Sequence, residues 1–243
     1  MNYRTTNFIL IGITVISTIA LLQVIFGFFE LNPFDFDNRK ISDVNNIFVG
    51  LILGFYINAL FYLLNSVIPH SKNKKRAIKV CQPYIRDIYK RLKISQSYFL
   101  FKLKKTNWKE IKSTDFTEFK KLQMEKLKFS FKETTEEGET SMSFGGMTEI
   151  DFFEIEKTVV LNNINVILSN PYVSNLNEEL KFILTKIKNQ MFYIGVKHHV
   201  EMGYHNHFTY IDLEKYMYEH FTLINDLIQK VEYLNSKSEL NLK

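Results

Sequence analysis

Five of the six histidines fall between positions 198 and 220: His198, His199, His205, His207 and His220. Glu201 and His205 are four residues apart, so a helical segment would place both on one face. Imidazole nitrogens and a carboxylate are ligands for zinc or a similar divalent ion. The candidate metal set is therefore His198, His199, Glu201, His205 and His207. The pattern is not H-E-x-x-H, and a single cysteine excludes any multi-cysteine centre. Gly195 and Gly203 act as breakers, so Gly195–His207 is predicted to connect two helices. No cofactor is otherwise predicted. A solvated or packing role for these histidines is the competing reading.

The second constellation is cationic. Lys72, Lys74, Lys75, Arg76 and Lys79 cluster within eight positions. Such a cluster attracts anionic lipid headgroups by about 1 kcal/mol per residue near a bilayer. Arg86, Lys90, Arg91, Lys93, Lys102, Lys104 and Lys105 prolong it, and Tyr84, Tyr89 and Tyr98 are interleaved. Cations with aromatic rings also suit nucleic acid, although no recognised motif accompanies them.

Other chemistry is missing from the sequence. No glycine-rich phosphate loop occurs, since no G-K-S/T follows a glycine. There is no G-x-S-x-G elbow. Cys81 falls on an apolar helical stripe, where a thiol behaves as a small core residue. Glu154/Glu156 and Glu178/Glu179 have the spacing of solvated helix surface. The balance favours a protein that is not an enzyme.

The elements that would hold these residues begin with two charge-free runs. Residues 8–29 and 47–68 are each 22 residues long without a charge. At about 1.5 Å per residue either run spans a bilayer core of about 30 Å. The first ends in Phe26-Gly27-Phe28-Phe29-Glu30, which offers no small-x-small cleavage site, so it is read as retained rather than as a signal peptide. The loop 30–46 holds two basic and four acidic residues, whereas the second run exits into the lysine cluster. By the positive-inside rule the result is a hairpin in an inner membrane, with the N-terminus and everything after Pro69 in the cytoplasm. Gly50 and Gly54 form a G-x-x-x-G pair that Asn58 extends by a turn. Such a stripe serves packing inside the hairpin or self-association. A hydrogen bond from Asn58 to Ser17 or Thr18 at similar depth is expected. No ionisable residue lies in either run, which argues against an ion path.

Beyond Pro69 apolar residues recur at helical spacing and Gly and Pro are scarce. A first helix is predicted at about 75–101, with Ile78, Cys81, Ile85, Ile88, Leu92, Ser95 and Phe99 inward. Pro83 should kink it or delay its start to Gln82. A second is predicted from Asp115 as cap, carrying Phe116, Phe119, Leu122 and Leu127. A third follows Thr148 with Phe152, Ile155, Val159 and Val166 inward. A fourth runs from about Ser174 through Leu176, Leu180, Ile183, Ile187, Met191 and Ile194. A fifth spans about 212–234. The Ser/Thr- and Glu-rich stretch 129–147 reads as an acidic mobile loop, with a small β-hairpin turning near Glu137-Gly138 as the alternative.

The fold class is therefore all-α: a two-helix transmembrane hairpin (1–69), a basic juxtamembrane stalk (70–112) and an acidic cytoplasmic helical domain (113–243), the cytoplasmic part forming a bundle of about five helices. The stalk carries fourteen Lys/Arg against two Asp/Glu, and the last segment fourteen against twenty. The pI near 9.0 and mean hydropathy of −0.12 average over this segregation.

The exit Ile68-Pro69-His70-Ser71-Lys72-Asn73-Lys74-Lys75-Arg76, the segment 170–180 (NPYVSNLNEEL) and the hairpin layout together resemble bacterial proteins with two membrane helices and a helical cytoplasmic domain, a group with no assigned activity. Proteins of this layout include membrane partners of bacterial defence and toxin systems. The resemblance implies a membrane-anchored interaction or sensor–effector module, acting with a protein partner or as an oligomer. The metal-dependent enzyme and the membrane-tethered nucleic-acid binder are the alternatives.

Overall fold

The computed structural model describes residues 11–19, 38–117, 126–135, 138–201, 213–240 and 242. The chain divides into two compact units, Met1–Asn73 and Lys74–Lys243.

In the first unit, residues 11–19 are helical (α1). Ile11, Val15, Ile16 and Ile19 of α1 are exposed and Ser17 is buried. The Thr18 hydroxyl donates to the Thr14 carbonyl at 2.7 Å, a bond within its own helix rather than to Asn58. Helix α2 is Asn38–Tyr62. It starts inside the segment predicted as an outer loop, because helical hydrogen bonding continues through charged residues that a purely apolar run excludes. The rest of the predicted first span and loop lies outside the described residues, so a two-helix hairpin is not seen among them. Leu63–Val67 is a π-helical turn, in which the Ile68 N–H reaches back to the Leu63 carbonyl. It immediately precedes Pro69, which has no N–H for the ladder, and the wider turn absorbs the ring. The helix is unbroken from Gly50 to Lys102, and among the described residues it is the one helix long and apolar enough to cross a membrane.

The second unit is mostly helical. Helix α3, Ile68–Lys102, begins before Lys75 and runs through Pro83 without the predicted late start. Its face from Lys74 onward buries Ala77, Cys81, Ile85, Ile88, Leu92, Ser95 and Phe99, which is the predicted stripe with Ala77 in place of Ile78. Pro83 is on the opposite, exposed side, so its ring meets no core neighbour.

Around the predicted start of the second helix the chain forms a 3-10 turn, Ser113–Phe116, and residues 118–125 of the predicted helix lie outside the described residues. Asp115 sits inside it, and its carboxylate accepts the Lys112 N–H at 2.7 Å. Phe116 is buried; Phe119 and Leu122 lie outside the described residues.

The stretch expected to be a mobile loop is the hairpin. Strands β1 (Ser130–Thr135) and β2 (Gly138–Ser143) pair antiparallel, from Ser130 opposite Ser143 to Thr135 opposite Gly138. Two residues connect them, the shortest common hairpin loop. Buried Phe129 and Phe144 stack at 5.5 Å at its base and tie it to the core.

Helix α4, Glu149–Ser169, starts as predicted at Thr148, whose hydroxyl and the Asp151 carboxylate form a reciprocal capping box. Its buried face differs from the predicted one. Ile150, Phe152, Phe153, Val160, Ile164 and Ile167 are inside, while Ile155 and Val166 are exposed. That rotation carries Glu156 into the core.

The predicted fourth helix is two. Helix α5 is Glu178–Lys188, N-capped by Asn177, and α6 is Met191–Glu201. Between them Gln190 turns inward, leaving Met191 and Ile194 exposed. Helix α6 runs through Gly195, which was predicted to break it. Helix α7, Leu213–Ser236, packs against α5 and α6 and buries Met217, Phe221, Ile224, Leu227, Val231 and Leu234.

Candidate functional site

The predicted metal set is only partly described. His198, His199 and Glu201 are in the last turns of α6, and His205 and His207 lie outside the described residues. Among the described residues no three His, Cys, Asp or Glu side chains are placed to hold a metal ion. His220, the remaining member of the histidine cluster, is buried in the bundle.

The structure sorts the basic cluster by face. Lys74 turns toward the bundle and pairs with Glu239 at 3.3 Å. Lys72, in the first unit, is exposed. In the second unit Lys75, Arg76, Lys79, Arg86 and Lys90 are all exposed, as is Pro83. The sequence Arg76, Lys79, Pro83, Arg86, Lys90 advances by steps of three, four, three and four residues. At 3.6 residues per turn these fall on one face, directly opposite Ala77, Cys81, Ile85, Ile88 and Leu92. None of the ion pairs of the described residues includes these five cations.

The interleaved tyrosines do not share that face. Tyr84 packs against the core. Tyr89 donates to Glu232 at 2.9 Å, and Lys93 pairs with the same carboxylate at 2.9 Å. Tyr98 is buried and donates to buried Glu149 at 2.8 Å, which Lys102 also reaches. Burial pushes the Tyr98 phenol up and the Lys102 ammonium down, the latter opposed by Glu149.

A second cluster, which sequence spacing did not reveal, is sealed inside the bundle. Glu156 of α4 is 0% exposed. It accepts hydrogen bonds from Tyr193 of α6 at 2.6 Å and from Ser95 of α3. His220 Nε2 of α7 lies 3.0 Å from Glu156 Oε1, at ion-pair distance but off line for a hydrogen bond. Its Nδ1 lies 2.8 Å from Gln190 Oε1. Arg91 donates to the Phe152 carbonyl at 2.6 Å and lies over the Phe152 ring at 4.6 Å. Phe192 stacks on His220 with centroids 4.5 Å apart.

Burial alone would push the Glu156 carboxyl up. The charges of His220 and Arg91 and the Ser95 hydroxyl outweigh it and hold the carboxyl below its usual range. Burial, then the Glu156 charge, pushes the Tyr193 phenol well up. These residues have the types of an acid–base site, but every member except Arg91 is buried, and Phe99, Phe153 and Phe192 close around the imidazole. The node fastens α3, α4, α6 and α7 together. Its trace in the sequence is indirect: Ile150, Phe153, Val160, Ile164 and Ile167 form an apolar stripe that takes in Glu156, visible only once the inward face of α4 is known.

On the outside, Glu179, Phe182, Lys186, Asp226, Lys230 and Tyr233 line a groove of about 680 Å³ between α5 and α7. Lys186 lies over the Phe182 ring at 4.4 Å and Lys230 over the Tyr233 ring at 5.3 Å. Comparison of the chain with protein-family models, curated proteins and solved structures gives no match.

Proposed function

We propose that this chain is a membrane-anchored helical interaction or sensor–effector module, held in a bacterial inner membrane by its N-terminal segment, with its N-terminus and helical bundle in the cytoplasm. The observation that carries the reading is the exposed apolar surface of α2. Leu51, Leu53, Phe55, Ile57, Leu60 and Phe61 are all exposed. A contiguous surface of this kind is unfavourable in water by about 25 cal/mol per Å², and soluble monomers rarely carry one. The stretch is not a buried core helix, since only 6% of its most apolar window is covered.

Two further features support the reading. A Cβ added at Gly50 or Gly54 would meet nothing within 4 Å among the described residues, and Asn58 is exposed. That stripe is available to a neighbouring helix, which fits an oligomer or a membrane partner. Lys72, Lys74, Lys75, Arg76 and Lys79 follow the apolar stretch, the excess of cations that the positive-inside rule expects on the cytoplasmic side. Such a module would act in a bacterial defence or toxin assembly.

Fractionation of cells expressing the full chain tests the anchor. The protein should stay in the membrane pellet after a carbonate wash, and a C-terminal reporter should be active only in its cytoplasmic form. Recovery in the soluble fraction would overturn the proposal.

A further inference from the structure

We infer that the exposed face of α3 between Lys75 and Lys90 is a track for the phosphate backbone of a nucleic-acid duplex, bound without base specificity. The inference goes beyond the membrane reading and lies wholly within the second unit.

Three observations carry it. Lys75, Arg76, Lys79, Arg86 and Lys90 form one exposed line, and all fifteen intervening helical steps cover about 22 Å at 1.5 Å rise. The only acid between Lys75 and Lys90 is Asp87. No ion pair among the described residues neutralises the five, whereas Lys74 and Lys93, both partly buried on the same helix, are paired. The helix itself is fixed by its buried face, so the charges are held in place before any ligand arrives.

The form of the track selects the ligand. A line of cations matches a linear polyanion, whose charges recur every few ångströms along a strand. A bilayer-adhering helix would need a continuous apolar strip beside its cations to enter the headgroup boundary, and between its members this line has only exposed Val80 and Pro83. Base stacking is excluded from this face because Tyr84, Tyr89 and Tyr98 are engaged with the core, Glu232 and Glu149. What remains is contact with phosphates alone, and a duplex presents phosphates with its bases turned inward.

The test uses the full chain in phosphatidylcholine nanodiscs and a labelled 20-base-pair duplex of arbitrary sequence. Five neutralised phosphates predict a log–log salt slope of about −4.5, so affinity falls roughly 500-fold between about 50 mM and about 200 mM salt. The R86Q/K90Q variant should flatten the slope to about −2.7, a loss of roughly 40-fold over the same range. Both residues are exposed, so the fold is retained. The K181Q/K186Q variant on α5 should leave the slope unchanged. No binding at low salt overturns the inference, as does an equal effect of the two variants. So does a third outcome, in which R86Q/K90Q spares duplex binding but abolishes adhesion to phosphatidylglycerol vesicles, since the ligand is then lipid. Absence of duplex binding by the native chain, with carbonate-resistant membrane association intact, would refute the track alone and leave the anchor standing.

Discussion

Glu156 shows what a single buried charge does for the bundle. Four helices meet at one carboxylate, and its folded-state proton affinity lies below the ordinary glutamate value. A group with this direction of shift stabilises the fold above its unfolded value, about 4.5, and the contribution is lost as pH falls through the lower folded value. Glu156→Gln should cost about 3–5 kcal/mol at neutral pH, because it leaves the Arg91 guanidinium without its counter-charge and the Tyr193 and Ser95 hydroxyls with a weaker acceptor. Denaturant unfolding of both proteins in detergent at stepwise lower pH should show the gap narrowing below about pH 4.5; parallel acid curves would contradict the node. Cys81 gives a simpler check. It is 1% exposed and burial raises its thiol, so maleimide should label it only after unfolding. Of these two residues, the cysteine was legible in the sequence because it lies on a stripe of conventional core residues. The glutamate was not: a carboxylate is ordinarily a surface residue, and only tertiary partners from α3, α6 and α7 make its burial tolerable.

At the scale of elements, local signals worked where one residue dictates geometry. Thr148 with Asp151 fixed the start of α4, and the apolar spacing of α7 fixed its inward face. They failed where packing overrides preference. Pro83 removes one hydrogen bond from α3, yet the helix continues because its buried side, from Ala77 to Phe99, is held along its whole length. Pro83→Ala should therefore stabilise the bundle, by about 1–3 kcal/mol from restored helix propensity. A rise in thermal midpoint is the expected readout, and a fall would mean that the bundle depends on the proline's geometry. The α5–α6 break was invisible for the converse reason. Neither Gly nor Pro marks it; Asn189 and Gln190 end the helix because Gln190 is drawn to His220. The hairpin was seen only as an alternative, since its strands are short and polar and its anchor, Phe129 on Phe144, is a tertiary contact.

For the whole molecule, charge and apolarity are separated along one chain and again around one helix. Both separations were legible along the sequence, but the second needed the structure to show which cations face outward. If α2 is the membrane segment, Leu53→Asp should weaken insertion by about 3 kcal/mol and shift protein out of the carbonate-washed pellet. An unchanged pellet fraction would count against that helix. The hairpin has its own consequence for molecules held at high local concentration. Its sheet has two strands, so β1 and β2 each leave one row of backbone amides and carbonyls without a neighbouring strand among the described residues. Ser130, Lys132, Ser141 and Ser143 are exposed there, while Phe131 and Met142 face each other across the register. Short polar edges of this sort resist joining edge to edge. Solubility of such a concentrated population thus rests in part on these hydroxyls and one ammonium, beside Glu133 and Glu139 of the same strands: Lys132→Val with Ser141→Val would put apolar side chains on both sheet faces, and fibrous, dye-binding aggregates should appear where the native chain stays dispersed.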